Sequence, residues 1–446
     1  MTTCSFCFVP CCTMPMALSK VLKQNRRVLS ILVVCCLLPS IVSCGSDGPA
    51  ADGEDEASAI SISPAAVCVE AGATQQFVAT APSGSSVTWK IGTFSNSGMK
   101  PGTVSATGLY AAPPALLSEG TVNLTAEVPG NPSISASVQI TLMPQPGTLL
   151  GTFTTGSNPE EAVTDGHGNL WVTNWGANSI SNLFLGGGPR KDYPTGPQPE
   201  GIAVDAGDNI WVANNGDGTL MKFSTTGERI ATFAVGVKPH DLVFDALGNL
   251  WISDDGANTL MKLSSNGTLL GVYPVGGNPH GVALDSQGDV WVVNNASDSV
   301  MKFSSSGQLM GTYPTGHDPI FIAVDSADNI WVTNTINDGL SYLQGTVNKL
   351  SSQGVPLGTF PAGQNAWGIA IDAGGNLWVV NGLTNPLVLA AGTVTTLSPS
   401  GSIMGSYVAG IDPLHISIDK NGNVWVTNSG ADNVMEFSSG CAGRRL

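Results

Sequence analysis

Pro279-His-Gly-Val-Ala-Leu-Asp285, Ser286-Gln-Gly-Asp289, Val290-Trp-Val-Val-Asn294, Ser299-Val-Met-Lys-Phe-Ser304 and Gln308-Leu-Met-Gly-Thr-Tyr313 make one phrase in this sequence. Its apolar runs are short, alternate with polar residues, and end at Gly, Asn or Ser. Those are strand and turn signals, and they give four strands per phrase. The phrase returns along the chain. Its Trp stands at 171, 211, 251, 291, 331, 378 and 425, with spacings of 40, 40, 40, 40, 47 and 47. A period near 40 with four strands and one Trp is the mark of a β-propeller blade. The expected fold class is therefore all-β, with a seven-bladed propeller over residues 148–441. The last copy has only three strands, at His415–Asp419, Val424–Asn428 and Val434–Ser438. The missing phrase stands before the first copy, as Leu149-Leu-Gly-Thr-Phe153. That N-terminal strand is expected to complete the seventh blade and leave no open edge.

Upstream, residues 60–143 alternate short β-type runs with turns, which reads as a small β-sandwich. The order Gly72-Ala-Thr-Gln-Gln-Phe77, Val87-Thr-Trp89, Thr107-Gly-Leu-Tyr-Ala-Ala-Pro113 resembles a bacterial immunoglobulin-like domain. Trp89 is expected in its core. Such modules are usually spacers or adhesive elements.

The N-terminus reads as an address. Lys20, Lys23, Arg26 and Arg27 precede the uncharged run Val28–Val42, followed by Ser43 and Cys44. Fifteen apolar residues are short for a bilayer span, which takes ~20, and suit a secretory signal. Small residues before a Cys resemble the bacterial lipoprotein signal. We expect 1–43 to be a signal peptide, Cys44 the lipidation site, and 44–59 a flexible tether rich in Gly, Asp, Glu, Ala and Ser. The protein is then exported and held at the bacterial cell envelope by its lipid alone. Six of nine Cys precede Cys44, which leaves Cys68 and Cys441 in the folded part. They are open to two readings, a disulfide in an oxidising compartment or two separate thiols.

Composition narrows the partners. Gly supplies 55 of 446 residues, charged residues only 11%, and the net charge is −16. All basic residues before position 44 fall in the signal, so the rest is more acidic still. A surface of that sign excludes binding to a phosphate backbone, and no nucleic-acid partner is expected. Nothing in the repeat calls for a second copy, and a monomer is expected.

In a propeller the first strand of each blade is innermost. The residue after its Pro, or the equivalent, should line the mouth of the central channel. Around the ring these are Glu160, Glu200, His240, His280, Ile320, Trp367 and Leu414, and the next positions include Glu161, Asp241, Phe321 and His415. The candidate ligand-binding residues are Glu160, Glu200, His240, Asp241, His280, Phe321, Trp367 and His415. A neutral imidazole is a metal ligand and a general base, and nearby carboxylates can orient it. The same face carries two insertions, Thr335–Gly345 and Gly382–Gly392, and varied loops on a rigid scaffold are where binding concentrates. The Asp-x-x-Gly-Asn turns lie on the other face. They have too few oxygen ligands for a calcium loop and read as hairpin turns.

The repeat phrase resembles NHL-type repeats and, more closely, the virginiamycin B (streptogramin) lyase family, over roughly 148–441. The resemblance implies two His at matched positions of successive blades, acting with magnesium and with a Glu at the end of the second blade's second strand. His240 and His280 take the two His positions. His280 would be the catalytic base, with His240 and Glu200 as metal ligands for Mg2+. The Glu position is occupied by Asn294, and Asn recurs there as Asn174, Asn214, Asn334, Asn381 and Asn428, which suggests a structural cap. Three functions remain open on these residues. The first is a lipid-anchored module binding a small molecule or protein partner at the mouth. The second is a lyase opening a cyclic ester by elimination, and the third is a lactone hydrolase.

Overall fold

The structure, a computed structural model, describes residues 59–82, 85–95, 98–184, 188–335, 344–382 and 390–443. The expected signal peptide, the tether up to Ser58 and Cys44 lie outside these residues. So do 336–343 and 383–389, most of the two long insertions. Among the described residues no helix is long and apolar enough to cross a membrane.

Seven four-stranded antiparallel sheets follow one another from residue 149 to 437. The first joins Pro159–Thr164, Leu170–Asn174, Ser179–Leu183 and Lys191–Pro194, from innermost strand outward. Five more repeat this order, with inner strands opening at Pro199, Pro239, Pro279, Pro319 and Ala366. The seventh is assembled from both ends of the repeat region. Leu149–Thr154 pairs with Asn433–Phe437, outside Val424–Asn428 and Pro413–Ile418. Inner strands of successive sheets lie side by side, and the inner strand of the first also meets that of the seventh. This is a β-propeller.

The Trp of the repeat explains its own recurrence. All seven are buried, each in the second strand of its sheet. Six of the indoles donate Nε1–H to the Asp that opens the preceding turn, as Trp211 does to Asp205 at 2.9 Å and Trp291 to Asp285 at 3.1 Å. The same Asp closes its turn by accepting backbone N–H groups two and four residues on, as Asp205 does from Gly207 and Asn209. In four sheets a third-strand Lys completes the unit. Lys222, Lys262, Lys302 and Lys349 lie 4.4–5.0 Å above Trp211, Trp251, Trp291 and Trp331 and face Asp205, Asp245, Asp285 and Asp325. A buried aromatic therefore carries a satisfied polar edge in most sheets, which fixes each turn to its sheet.

Contacts between neighbouring sheets follow an alternation of two residue types. Two positions after the opening residue of each inner strand stand Glu161, Gly201, Asp241, Gly281, Phe321, Gly368 and His415. A Cβ on Gly201 would meet the His240 carbonyl oxygen at 2.2 Å, and Cβ atoms on Gly281 and Gly368 would meet the backbone of the next inner strand at 3.0 and 2.8 Å. Glycine lets the next strand approach closely there. Where a larger residue stands, the second strand supplies a hydroxyl instead. Thr173, Thr333 and Thr427 each accept from the N–H of that residue and donate to a carbonyl of the next sheet, those of Glu200, Trp367 and Glu160 at 2.6–2.7 Å. The Thr427 bond to Glu160 joins the seventh sheet to the first.

The preceding segment, 60–143, forms two-, three- and four-stranded sheets around Phe77, Tyr110, Leu124, Ile140 and Leu142, all fully buried. Trp89 is half-buried and packs against this core. A disulfide joins Cys68 to Cys441. Beside it the Cys441 N–H donates to Glu70 Oε1 at 3.0 Å, and the Ser438 hydroxyl donates to the Pro144 carbonyl at 3.1 Å. The small domain thus grips the tail that leaves the last sheet.

Candidate functional site

Every inner strand shifts register just after its opening residue, as between Pro159 and Ala162 or Pro239 and Leu242. The two intervening residues do not pair with the second strand, and such a bulge re-aims side chains. At the centre of the ring these residues wall a cavity of about 270 Å³. All seven sheets contribute. Glu160 and Glu161 come from the first, Glu200 from the second, His240 and Asp255 from the third, and His280 from the fourth. Phe321, Trp367, and Leu414 with His415 come from the fifth, sixth and seventh.

Seven of the eight residues singled out in the sequence line this cavity. Asp241 does not. Its carboxylate turns away and accepts the Val282 N–H of the next sheet at 2.8 Å and its neighbour's N–H, Leu242, at 2.6 Å. It therefore clasps two sheets and presents nothing to a ligand. Glu161 makes the same clasp to Ile202 N–H through one oxygen but still borders the cavity. The sequence reading passed over Asp255. Its signal was the pair Asp254-Asp255, where other copies carry one Asn and a neutral residue. Asp254 is structural, since it accepts N–H groups of Val237, Lys238 and Ala257. The next residue reaches the cavity.

The wall is polarised. Burial, then Glu200 and Asp412, push the Glu160 carboxyl up to about 8. Burial and Asp255 do the same to Glu200, against a hydrogen bond from Asn215 at 3.0 Å. Glu161 is held well above the usual range by burial and by Asp241. The imidazoles move the other way. Burial takes His280 and His415 down to about 4, and burial with His280 as neighbour takes His240 well below its ordinary value. At neutral pH the rings are neutral and the Glu160 and Glu200 carboxyls largely protonated.

His240 and His280 sit with ring centroids 4.2 Å apart and planes tilted by 45°, and His240 Nε2 is 3.6 Å from Glu200 Oε2. Phe321 packs on His415 at 5.4 Å. The Asn278 amide donates to His280 Nε2 at 2.9 Å, which occupies that lone pair, and His280 Nδ1 is buried with no partner. Asn294 is fully buried at its strand end and accepts the Gly276 N–H at 3.0 Å, the role of a cap.

Residues 194–442 match the virginiamycin B lyase family. The chain belongs to that family. No curated protein matches it. Among solved structures, virginiamycin B lyase from Staphylococcus aureus superposes with a TM-score of 0.56 at 16% identity, over 65% of this chain and 98% of that one. A streptogramin B lyase gives 0.56 at 18% identity, over 65% and 96%. A catalytically inactive histidine-to-alanine variant of the S. aureus enzyme with quinupristin gives 0.56 at 16%, over 65% and 98%. At these identities the likeness shows the propeller fold.

The magnesium ion expected from family resemblance does not fit the donors present. Mg2+ requires near-octahedral oxygen ligation. Glu160, Glu161, Glu200 and Asp255 line the mouth, but no three ligand atoms among them and the imidazoles come within 4.8 Å of one another. Among the described residues, three ligating groups come within 4.8 Å of one another only at Asp298, His317 and Asp318, none of which lines the cavity.

Proposed function

We propose that this protein is a ligand-binding member of the virginiamycin B lyase family, with the central cavity as its binding site. The observation that carries this reading is a single cavity wall to which all seven sheets contribute, with acid, imidazole and aromatic side chains among them. In the same reading the seven sheets are the blades of a seven-bladed propeller, and residues 60–143 are an immunoglobulin-like spacer. Cys44 carries the lipid that tethers the exported chain to the cell envelope.

Binding is favoured over elimination by two features of the site. A general base needs a lone pair open to substrate, and that of His280 Nε2 is taken by Asn278. The acid that the family resemblance implies is replaced by a buried Asn that caps a strand. Lyase chemistry is the second reading, favoured by the paired His240 and His280 at matched positions.

A thermal-shift panel of small amines, alcohols, carboxylates and cyclic esters tests the proposal. At least one member is expected to raise Tm by several degrees, as a ligand at ~100 times its Kd adds about 2.7 kcal/mol. The His280→Ala/Trp367→Ala double variant should lose that shift. A panel without effect, or a shift kept by the variant, would refute the cavity as the binding site. Ring opening of a cyclic ester that disappears in His280→Ala would replace binding by lyase chemistry.

A further inference from the structure

The cavity wall is segregated. Its four carboxyl groups come from the first three sheets, as Glu160, Glu161, Glu200 and Asp255, and its apolar surface comes from the last three, as Phe321, Trp367 and Leu414. No Lys or Arg lines it. Four carboxyl groups gathered in a low-dielectric pocket, with Lys238 behind the wall as the one cation acting on Glu200 and Asp255, repel one another once ionised. A proton relieves that repulsion, and so does a positively charged guest.

The wall's own hydrogen bonds leave part of it unanswered. Glu161, only 5% exposed, gives one oxygen to Ile202 N–H and borders the cavity. Nδ1 of His240, His280 and His415 and Nε1 of Trp367 are buried without a partner. The volume, about 270 Å³, lies at the small end of ligand pockets, which run ~300–1,000 Å³, and suits one ring with a short chain.

We infer that the mouth takes an amphipathic organic cation, with a primary ammonium among Glu160, Glu200 and Asp255 and an apolar body against Phe321, Trp367 and Leu414. The assignment rests on the reading of the cavity as a ligand site and adds the charge and shape of what it holds. On binding, the carboxyls release their protons to solvent, the ammonium supplies three N–H donors to the carboxylates so formed, and the aromatic wall accepts the ring of the guest. An anion of the same shape would meet four carboxyl groups and only one nearby cation, Lys238, which does not line the cavity. The groups facing the ammonium site beyond its three carboxyls are Glu161, Asp412, Lys238 and His240.

Calorimetric titration of the protein with phenethylammonium, 2-phenylethanol and 3-phenylpropionate, at one pH and salt concentration, separates the possibilities. The ammonium is expected to bind at least tenfold more tightly than the alcohol, and the carboxylate not at all. Glu160→Gln/Glu200→Gln should bring the ammonium level with the alcohol. Trp367→Ala should weaken both. An ammonium bound no better than the alcohol, or a preference that survives Glu160→Gln/Glu200→Gln, overturns the assignment. If the alcohol alone binds and Trp367→Ala abolishes it, the cation is wrong and the cavity remains the ligand site. If none of the three shows binding that depends on Trp367, both readings fall.

Discussion

Replacing Cys68 and Cys441 by Ser is expected to lower the stability of this protein by about 5 kcal/mol. The disulfide closes a loop with a sequence separation of 373 residues, and in the chain-entropy account a 100-residue loop already contributes ~4.7 kcal/mol. The place of the bond adds to this effect. Cys441 follows directly on Asn433–Phe437, the strand that holds Leu149–Thr154 in the seventh sheet. With the bond gone, hydrogen bonds through Ser438, Gly147 and Glu70 still fasten the tail to the segment before it. The double variant should melt several degrees lower, and its C-terminal strand should be cut first in limited proteolysis. A melting temperature unchanged by the substitutions, or by reductant, would show that the disulfide contributes nothing.

The second large effect is on the pH dependence of stability. Glu160 and Glu200 have folded values near 8, above the 4.5 of a free Glu. A raised carboxyl binds its proton more tightly in the folded state, so stability falls as pH rises from about 4.5 to about 8. His280 and His415 have folded values near 4, below the ordinary 6.5. They must be charged when the chain unfolds in acid, so stability falls as pH drops from 6.5 towards 4. The two arms predict a maximum between about 4.5 and 6.5. Between pH 5 and pH 8 the loss from the mouth acids should reach several kcal/mol, since each carboxyl is raised from 4.5 to about 8, one pKa unit is 1.36 kcal/mol and the two sites interact. Glu160→Gln/Glu200→Gln should make the alkaline arm shallower, leaving the part that Glu161, Asp241 and Glu436 contribute, and keep the acid arm in place. Denaturant melts at half-unit pH steps measure this. An alkaline arm of equal slope in the variant would locate the effect elsewhere.

Much of this architecture could be read directly. Trp at a fixed period, with an Asp turn six residues ahead, is a strong signal because six of the seven Trp give their Nε1–H to that turn and each sheet needs that Trp for its core. The split of the last sheet between the two ends was readable for the same reason, since Leu149–Phe153 repeats an outer-strand phrase. The mouth was legible as a set of positions and less so as a set of directions. Asp241 and Glu160 both follow a Pro closely, yet the bulge sends one towards a neighbouring backbone and the other into the cavity. Nothing in composition marks that difference. The alternation of Gly201, Gly281 and Gly368 with Thr173, Thr333 and Thr427 was present in the repeat, but it has a two-sheet period that a forty-residue repeat conceals. The Cys68–Cys441 pairing depends on how the small domain meets the tail, which no local signal encodes.

Seven sheets of similar construction would make a structural ring without a purpose at its centre, but the inner residues of this ring change from acids through imidazoles to apolar side chains around it. That asymmetry is the ground for placing the ligand there. The direct test is a crystal structure of the protein grown with the panel member that stabilises it most. The account predicts that compound inside the cavity, between Glu160 and Glu200 on one side and Trp367 on the other. The same compound ordered elsewhere on the protein, with the cavity holding only water, would contradict it.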